Sequence, residues 1–232
     1  MHPRILLTGF EPFGQANRNP SGCVVRLLRR RPPPRCRLHT AILPVAAAKL
    51  AGHLPALLDR VRPDAVLLLG EARGAASVRV ERLAINLLAF RMRDNAGALI
   101  RDRPIVKDGP AAYWATLSTG RIATAIRRSG IPCVRSLNAG TFICNQAMYL
   151  ALHWCRRTGA TTRIGFVHLP SLPEQVKRTG AGAPSLPLPA QVRAVRAALR
   201  VVVAALSPPH ARRRPLLRRR SRCRTLLGDI TP

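Results

Sequence analysis

A thiol, an imidazole and a carboxylate perform nucleophilic catalysis when a fold brings them together, and three positions of this chain stand out for that chemistry. Cys144 lies in Ala139-Gly140-Thr141-Phe142-Ile143-Cys144-Asn145, after a Gly-Thr turn and before an amphipathic run beginning at Asn145. That spacing predicts a sulfur at a helix N-terminus, where the macrodipole favours the thiolate and a cysteine falls from about 8.5 to roughly 3.5 to 7.5. His168 closes an apolar run in Val167-His168-Leu169-Pro170, upstream of Leu172-Pro173-Glu174-Gln175. It is placed to emerge where a strand ends. Glu81, in Val80-Glu81-Arg82-Leu83-Ala84-Ile85-Asn86, is the one acid of its run. A lone carboxylate in a half-buried strand needs a partner to offset its desolvation. Two partners remain open: His168, which Glu81 would orient, or a neighbouring Arg79 or Arg82. Cys23, Cys36, Cys133, Cys155 and Cys223 lack such settings and read as inert packing residues; His2, His39, His53, His153 and His210 read as surface or packing groups.

A second kind of signal lies in Thr8-Gly9-Phe10-Glu11-Pro12-Phe13-Gly14, which holds two of the chain's five Phe in a Gly- and Pro-bounded loop. Phe10 and Phe13 either wall a small apolar pocket or pack beneath their own loop, and Glu11 between them suits a structural hydrogen bond. All four dense segments fall where a strand ends or a helix begins. In open α/β sheets those places bind ligands.

The elements that must position these residues follow from short apolar runs alternating with stretches of helical period, the pattern of an α/β domain with a mainly parallel sheet. Strands are predicted over 4–7, 38–43, 65–69, 78–86 and 164–168, and helices over 21–30, 46–62, 119–129, 145–157 and 189–206. The last helix carries Val192, Val195, Leu199, Val202 and Val203 at core-facing spacing. The Gly-, Ala-, Pro- and Ser-containing stretch 178–189 reads as a mobile loop. No internal repeat or linker divides the chain. Residues 1–207 form one predicted domain, and 208–232 a disordered basic tail with eight Arg against the single acid Asp229, a net of +7.

Length and composition bound the function. The chain has 232 residues, 47% of them apolar, enough for a sizeable core and against intrinsic disorder or a fibrous structure. Its formal charge of +29 suggests a nucleic-acid or anionic-membrane partner. However, only Lys49, Lys107 and Lys177 are lysines among 39 basic residues, so the charge reflects a global preference for Arg as well as any binding patch. Aromatic residues are only 4% of the chain and do not interleave with the basic stretches, which disfavours binding by base stacking. The six cysteines contain no CxxC pair, which weighs against a zinc ribbon and a secreted disulfide scaffold. No apolar run approaches the ~18 residues of a membrane span, and the N-terminal segment does not read as a signal peptide, so a soluble, reducing, cytoplasmic setting is expected.

Together the four segments, in this order and separation, resemble the pyroglutamyl peptidase I (pyrrolidone carboxyl peptidase) family of cysteine peptidases. The resemblance runs from about Arg4 to about Leu206 and extends to Asn19-Pro20-Ser21, Leu43-Pro44, Arg91 with Asp94-Asn95, Asp108-Gly109-Pro110-Ala111-Ala112-Tyr113 and Pro184-Ser185. It implies a single α/β/α sandwich and a cysteine omega-peptidase that removes an N-terminal 5-oxoproline without metal or organic cofactor. It further implies Cys144 as nucleophile, His168 as acid–base and Glu81 as the carboxylate orienting it. The implied ring pocket is walled by Phe10, Phe13, Val45, Met92, Phe142 and Ile143, with backbone groups near Glu71 reading the lactam. The implied oxyanion donors are Arg91 and the backbone N–H of Cys144. The expected partners are peptides with an N-terminal pyroglutamate, and a homodimer or homotetramer is a family habit that a high positive charge opposes. For the tail a solvated extension without a partner is favoured over non-specific nucleic-acid binding, and the alternative to the peptidase is a catalytically weak homologue whose Arg-rich surface and tail bind nucleic acid or another polyanion.

Departures from the family pattern set further expectations. Glu71, Ala72 and Arg73 precede Gly74 where the family has Gln followed by Ala-Gly-Gly; Leu87, Leu88 and Leu137 replace more polar residues. A Glu71 side chain turned into the ring pocket would set a carboxylate against a neutral ligand, whereas reading through backbone atoms would leave binding little changed.

Overall fold

The computed structural model describes residues 2–179 and 182–206; the basic segment 208–232 and Cys223 within it lie outside the described residues. The elements are β1 (Arg4–Phe10), α1 (Pro20–Arg30), β2 (Arg37–Leu43), α2 (Ala47–Val61), β3 (Ala65–Ala72), β4 (Val78–Ile85), β5 (Ala112–Trp114), α3 (Thr119–Arg128), β6 (Cys133–Asn138), α4 (Ile143–Thr158), β7 (Arg163–Pro170), α5 (Pro173–Thr179) and α6 (Leu188–Leu206). The strands form one sheet in the order β2-β1-β3-β7-β4-β5, with β6 pairing β4. Pairings of β1 with β2 and β3, of β3 with β7 and of β4 with β6 are parallel; β4 runs antiparallel to β7 and β5. The sheet is thus mostly parallel, as the alternation of runs predicted, with β4 and β6 reversed in it.

The central strands are apolar on both faces because both are covered. Ala65 to Leu69 of β3 are entirely buried, and successive side chains enter different cores. Ile5, Leu7, Leu67, Leu69, Val167 and Leu169 pack with α1, α3 and α6. Leu6, Val66, Leu68, Ile164 and Phe166 pack with α2 and α4. This alternation decides which face any later residue of these strands serves.

Boundaries explain themselves chemically. Asn19 caps α1 by accepting the Ser21 N–H at 3.1 Å, with Pro20 at the first helical position. The start of α2 has no side-chain cap of its own. Instead, the buried Asp94 reaches across from a distant loop to accept the Ala47 N–H at 2.8 Å. α4 ends at Gly159 in the left-handed conformation, which a glycine adopts without steric cost.

The structure adds β5, β6 and α5 to the predicted elements. Within the stretch expected to be a loop, α5 reaches Thr179 and α6 begins at Leu188. Among the described residues no helix is long and apolar enough to cross a membrane.

Candidate active site

Three neighbouring strands line up their site residues by register alone. Gly70 of β3 stands directly beside His168 of β7, and Glu81 of β4 stands beside Phe166, two residues from His168. Since Val66, Leu68, Ile164 and Phe166 face α2 and α4, Gly70, His168 and Glu81 share that face. The diagonal offset between Glu81 and His168 is within reach of long side chains. His168 Nδ1 and Glu81 Oε1 are 2.8 Å apart, and both residues are buried. The two partners left open in the sequence are therefore resolved geometrically in favour of His168, while Arg82 lies over the Trp114 ring at 5.2 Å.

Cys144 arrives from above. It sits in the first turn of α4, whose N-cap Phe142 provides no side-chain cap, so the first-turn N–H groups are not capped by that side chain. A Cβ built at Gly70 would stand 2.8 Å from Cys144 Sγ and 2.8 Å from the Phe166 ring. Only a glycine lets the sulfur sit this close to the sheet. Asn145 fixes the approach of the helix: its side chain accepts from the Ile85 N–H at 2.9 Å and donates to the carbonyls of Ile85 at 2.8 Å and Leu87 at 3.1 Å. This fully buried amide ties the first turn of α4 to the end of the strand bearing Glu81.

The electrostatics match the contacts. Burial pushes the His168 imidazolium towards losing its proton, but the hydrogen-bonding Cys144 sulfur and the Glu81 carboxylate outweigh it, and the pKa is raised to about 9. With Nδ1 on Glu81, Nε2 is the nitrogen left for the sulfur. Burial pushes the thiols of Cys133 and Cys155 up to about 11 and also raises Cys36, which disfavours their thiolates. Glu81 Oε2 is buried without a hydrogen-bond partner, so the carboxylate depends on the imidazolium beside it.

Around this row the expected wall residues are unevenly placed. Phe10, Val45 and Ile143 are buried in the α2/α4 core, and Phe13 and Phe142 are partly buried against it. Phe13 and Phe142 meet with ring centroids 5.2 Å apart, and Phe90 adds a third ring at 4.5 Å from Phe142. Glu11 joins the segments behind them: its Oε1 accepts from the Val45 N–H at 2.9 Å and from Asn95 Nδ2 at 2.9 Å. Met92 is half exposed and Arg91 is exposed, so neither packs into this wall. Glu71 lies on the opposite face of β3 from Gly70, where its Oε1 accepts from Ser171 Oγ at 2.8 Å and Gln175 Nε2 at 3.2 Å. Its carboxylate thus turns away from the face that carries His168 and Glu81 and leaves only backbone there.

Gly70, Phe90 and the bridging role of Asn145 are not evident from sequence reasoning. For Gly70 the signal is a glycine near the end of an otherwise apolar central strand; Phe90 carries no local signal.

A buried imidazole held by a carboxylate, with a thiol at a helix start against a strand glycine, can form and hydrolyse a thioester. Comparison with known proteins points the same way: residues 3–205 match the pyroglutamyl peptidase family. The chain belongs to that family. The pyrrolidone-carboxylate peptidase of Chromobacterium violaceum is 44% identical over 195 residues, covering 84% of this chain and 90% of that protein. The one from Thermococcus litoralis is 34% identical over 202 residues, covering 85% and 92%. Among solved structures, a mutant pyrrolidone carboxyl peptidase from Pyrococcus furiosus aligns with a TM-score of 0.84 at 34% identity, covering 88% of this chain and all of that one. Pyroglutamyl peptidase I of Bacillus amyloliquefaciens aligns with a TM-score of 0.83 at 35% identity, covering 87% and 97%. Family, fold class and enzyme class therefore agree with the expectations drawn from sequence.

Proposed function

We propose that this member of the pyroglutamyl peptidase family hydrolyses the bond after an N-terminal pyroglutamyl residue, with Cys144 as nucleophile, His168 as general acid and base, and Glu81 as the carboxylate that positions His168. The observation that carries the assignment is the row in which Glu81 holds Nδ1 of His168 while the Cys144 sulfur sits against Gly70, the residue beside His168 in the sheet.

In this reading the Cys144 thiolate attacks the carbonyl carbon that joins the 5-oxoproline to the peptide, and the C–N bond breaks as imidazolium His168 gives its proton to the departing amine. The thioester is then attacked by water, whose proton passes to His168, releasing 5-oxoproline and restoring the thiolate. The Cys144 N–H in the first turn of α4 faces the developing oxyanion, and Arg91 is the second donor that the family pattern assigns; losing one such donor costs about 10²-fold or more in rate. Phe10, Phe13, Val45, Phe142 and Ile143 enclose the uncharged ring, Met92 stands at its exposed margin, and the backbone beside Glu71 reads the lactam. A free α-amine or longer N-terminus would meet apolar walls with no partner for its charge.

The test is hydrolysis of a fluorogenic pyroglutamyl amide by the purified full chain under reducing conditions, beside Cys144→Ala and a prolyl amide. Cleavage of the pyroglutamyl compound alone, abolished in Cys144→Ala, is expected. Equal cleavage by Cys144→Ala, or none by folded wild-type protein, would overturn the assignment.

A further inference from the structure

The reaction leaves one half of the substrate unaccounted for, namely the peptide that departs. With the ring on the α2/α4 face and the scissile carbonyl at Cys144 Sγ, hard against Gly70, the nearest open ground for a departing chain is at the carboxyl ends of β3 and β7, which stop at Ala72 and Pro170. Immediately beyond those ends lies a cavity of about 560 Å³, lined by Gln15, Asn17, Arg18, Arg73, Ser171 and Gln175 together with Glu71 and Glu174. Glu71 follows Gly70 directly in β3 but points to the other face, so the cavity opens at the strand end, where Arg73 joins it to Phe13 of the ring wall.

The charges in this cavity are not equivalent. Glu71 is nearly buried, and its Oε1 already accepts from Ser171 and Gln175 while lying 3.8 Å from Arg73 Nε. Glu174 and Arg18 hold one another at 2.8 Å. Beyond its long contact with Glu71, Arg73 is held by other groups. Its guanidinium lies 5.4 Å from the Phe13 ring centroid, Nη2 donates to the Phe13 carbonyl at 3.1 Å, and half of its side chain is exposed. Packing on the ring and the carbonyl orients the fork, with Glu71 in a long ion pair at 3.8 Å from Nε, and a fork so held keeps N–H groups for a second carboxylate. Phe13 also contacts Phe142, whose residue caps the helix of Cys144, so one ring connects the two halves of the substrate path.

We propose that this cavity receives the start of the departing peptide and that Arg73 selects there for a carboxylate in its first residue, either an acidic side chain or the free C-terminus of a pyroglutamyl dipeptide. The inference rests on the peptidase reading above. Its test compares kcat/KM of the full chain for four substrates: pyroglutamyl-alanine amide, pyroglutamyl-alanine with a free carboxylate, pyroglutamyl-glutamate amide and pyroglutamyl-lysine amide. At least one carboxylate-bearing substrate is expected to exceed the neutral amide by about fivefold, the size of a partly exposed ion pair, through KM. The two carboxylate substrates distinguish a side chain from a terminus as its source. In Arg73→Gln the ratio to the neutral amide falls to about one, and in Arg73→Lys part of it returns, because charge is kept while the fork is lost. An unchanged ratio in Arg73→Gln, or a lysine substrate cleaved as well as the acidic ones, overturns the selectivity while cleavage of the neutral amide leaves the peptidase reading standing. Failure to cleave any of the four by folded wild-type protein overturns both.

Discussion

At the scale of single residues the site turns on one proton. An imidazole raised to about 9 is an imidazolium across neutral pH, the form that the proposed mechanism needs for donation to a departing amine. Activity should therefore persist up to that region and fall as pH rises through about 9. Stability carries the same sign: a folded pKa above the unfolded value of about 6.5 contributes fully below that value and is lost as pH rises through about 9. Glu81→Gln removes one of the charges holding the proton. It should move the basic limb of the kcat/KM profile to lower pH and reduce kcat/KM by about 10²- to 10⁴-fold, the range for the third member of such a triad. A pH profile of the variant decides the matter, since a purely structural carboxylate would lower the rate without shifting the limb. Cys144, His168 and Glu81 were legible because reactive side chains beside strand ends and helix starts are conspicuous in a sequence poor in acids. Gly70 was not legible, because its reason is the sulfur opposite it, and that sulfur is far away in the chain.

At the scale of elements the decisive joint is between α4 and β4. Asn145 makes three hydrogen bonds to backbone groups of Ile85 and Leu87 with no exposure to water. Asn145→Ala leaves those groups unpaired at a cost of about 1–3 kcal/mol each at most, and it releases the first turn of the helix carrying Cys144. The expected result is a lowered unfolding midpoint together with a loss of kcat and slower alkylation of Cys144 in the protein that remains folded. Unchanged alkylation and kcat in a merely destabilised variant would confine Asn145 to folding. Strands β1, β3 and β7 were readable as continuous apolar runs because both of their faces are covered. β6 was not: Val134 and Leu137 are exposed, and among the described residues β6 pairs only with β4, so backbone pairing rather than buried alternation makes it a strand. β5 spans three residues and α5 seven, too short for a period to emerge. The reversed direction of β4 was equally invisible, since alternation of burial is the same whichever way a strand runs.

At the scale of the whole molecule the question is where the peptidase stops. α6 packs on α3 and α1, and its Ala194, Val195, Ala198, Leu199 and Val202 are fully buried, so the last helix is part of the core. Burying a large aliphatic side chain contributes about 1.5–3 kcal/mol, and a domain's net stability is only about 5–15 kcal/mol. A chain ending before Leu188 should therefore fail to fold. A chain ending at Ser207 loses none of these contacts and keeps all of the segment that matches the family. Its kcat/KM for a pyroglutamyl amide should stay within about twofold of the full chain and its unfolding midpoint within about 2 °C, given that ~1 kcal/mol moves the midpoint by a few degrees at this size. What should change is retention on a polyanion. Removing residues 208–232 takes eight Arg and one Asp from a chain of net charge +29, a loss of +7, and the salt needed to elute it from heparin should fall accordingly. Equal elution by both chains would place the polyanion contacts on the folded domain, whose Arg excess outlasts the cut, whereas loss of most activity at Ser207 would make the basic segment part of the enzyme.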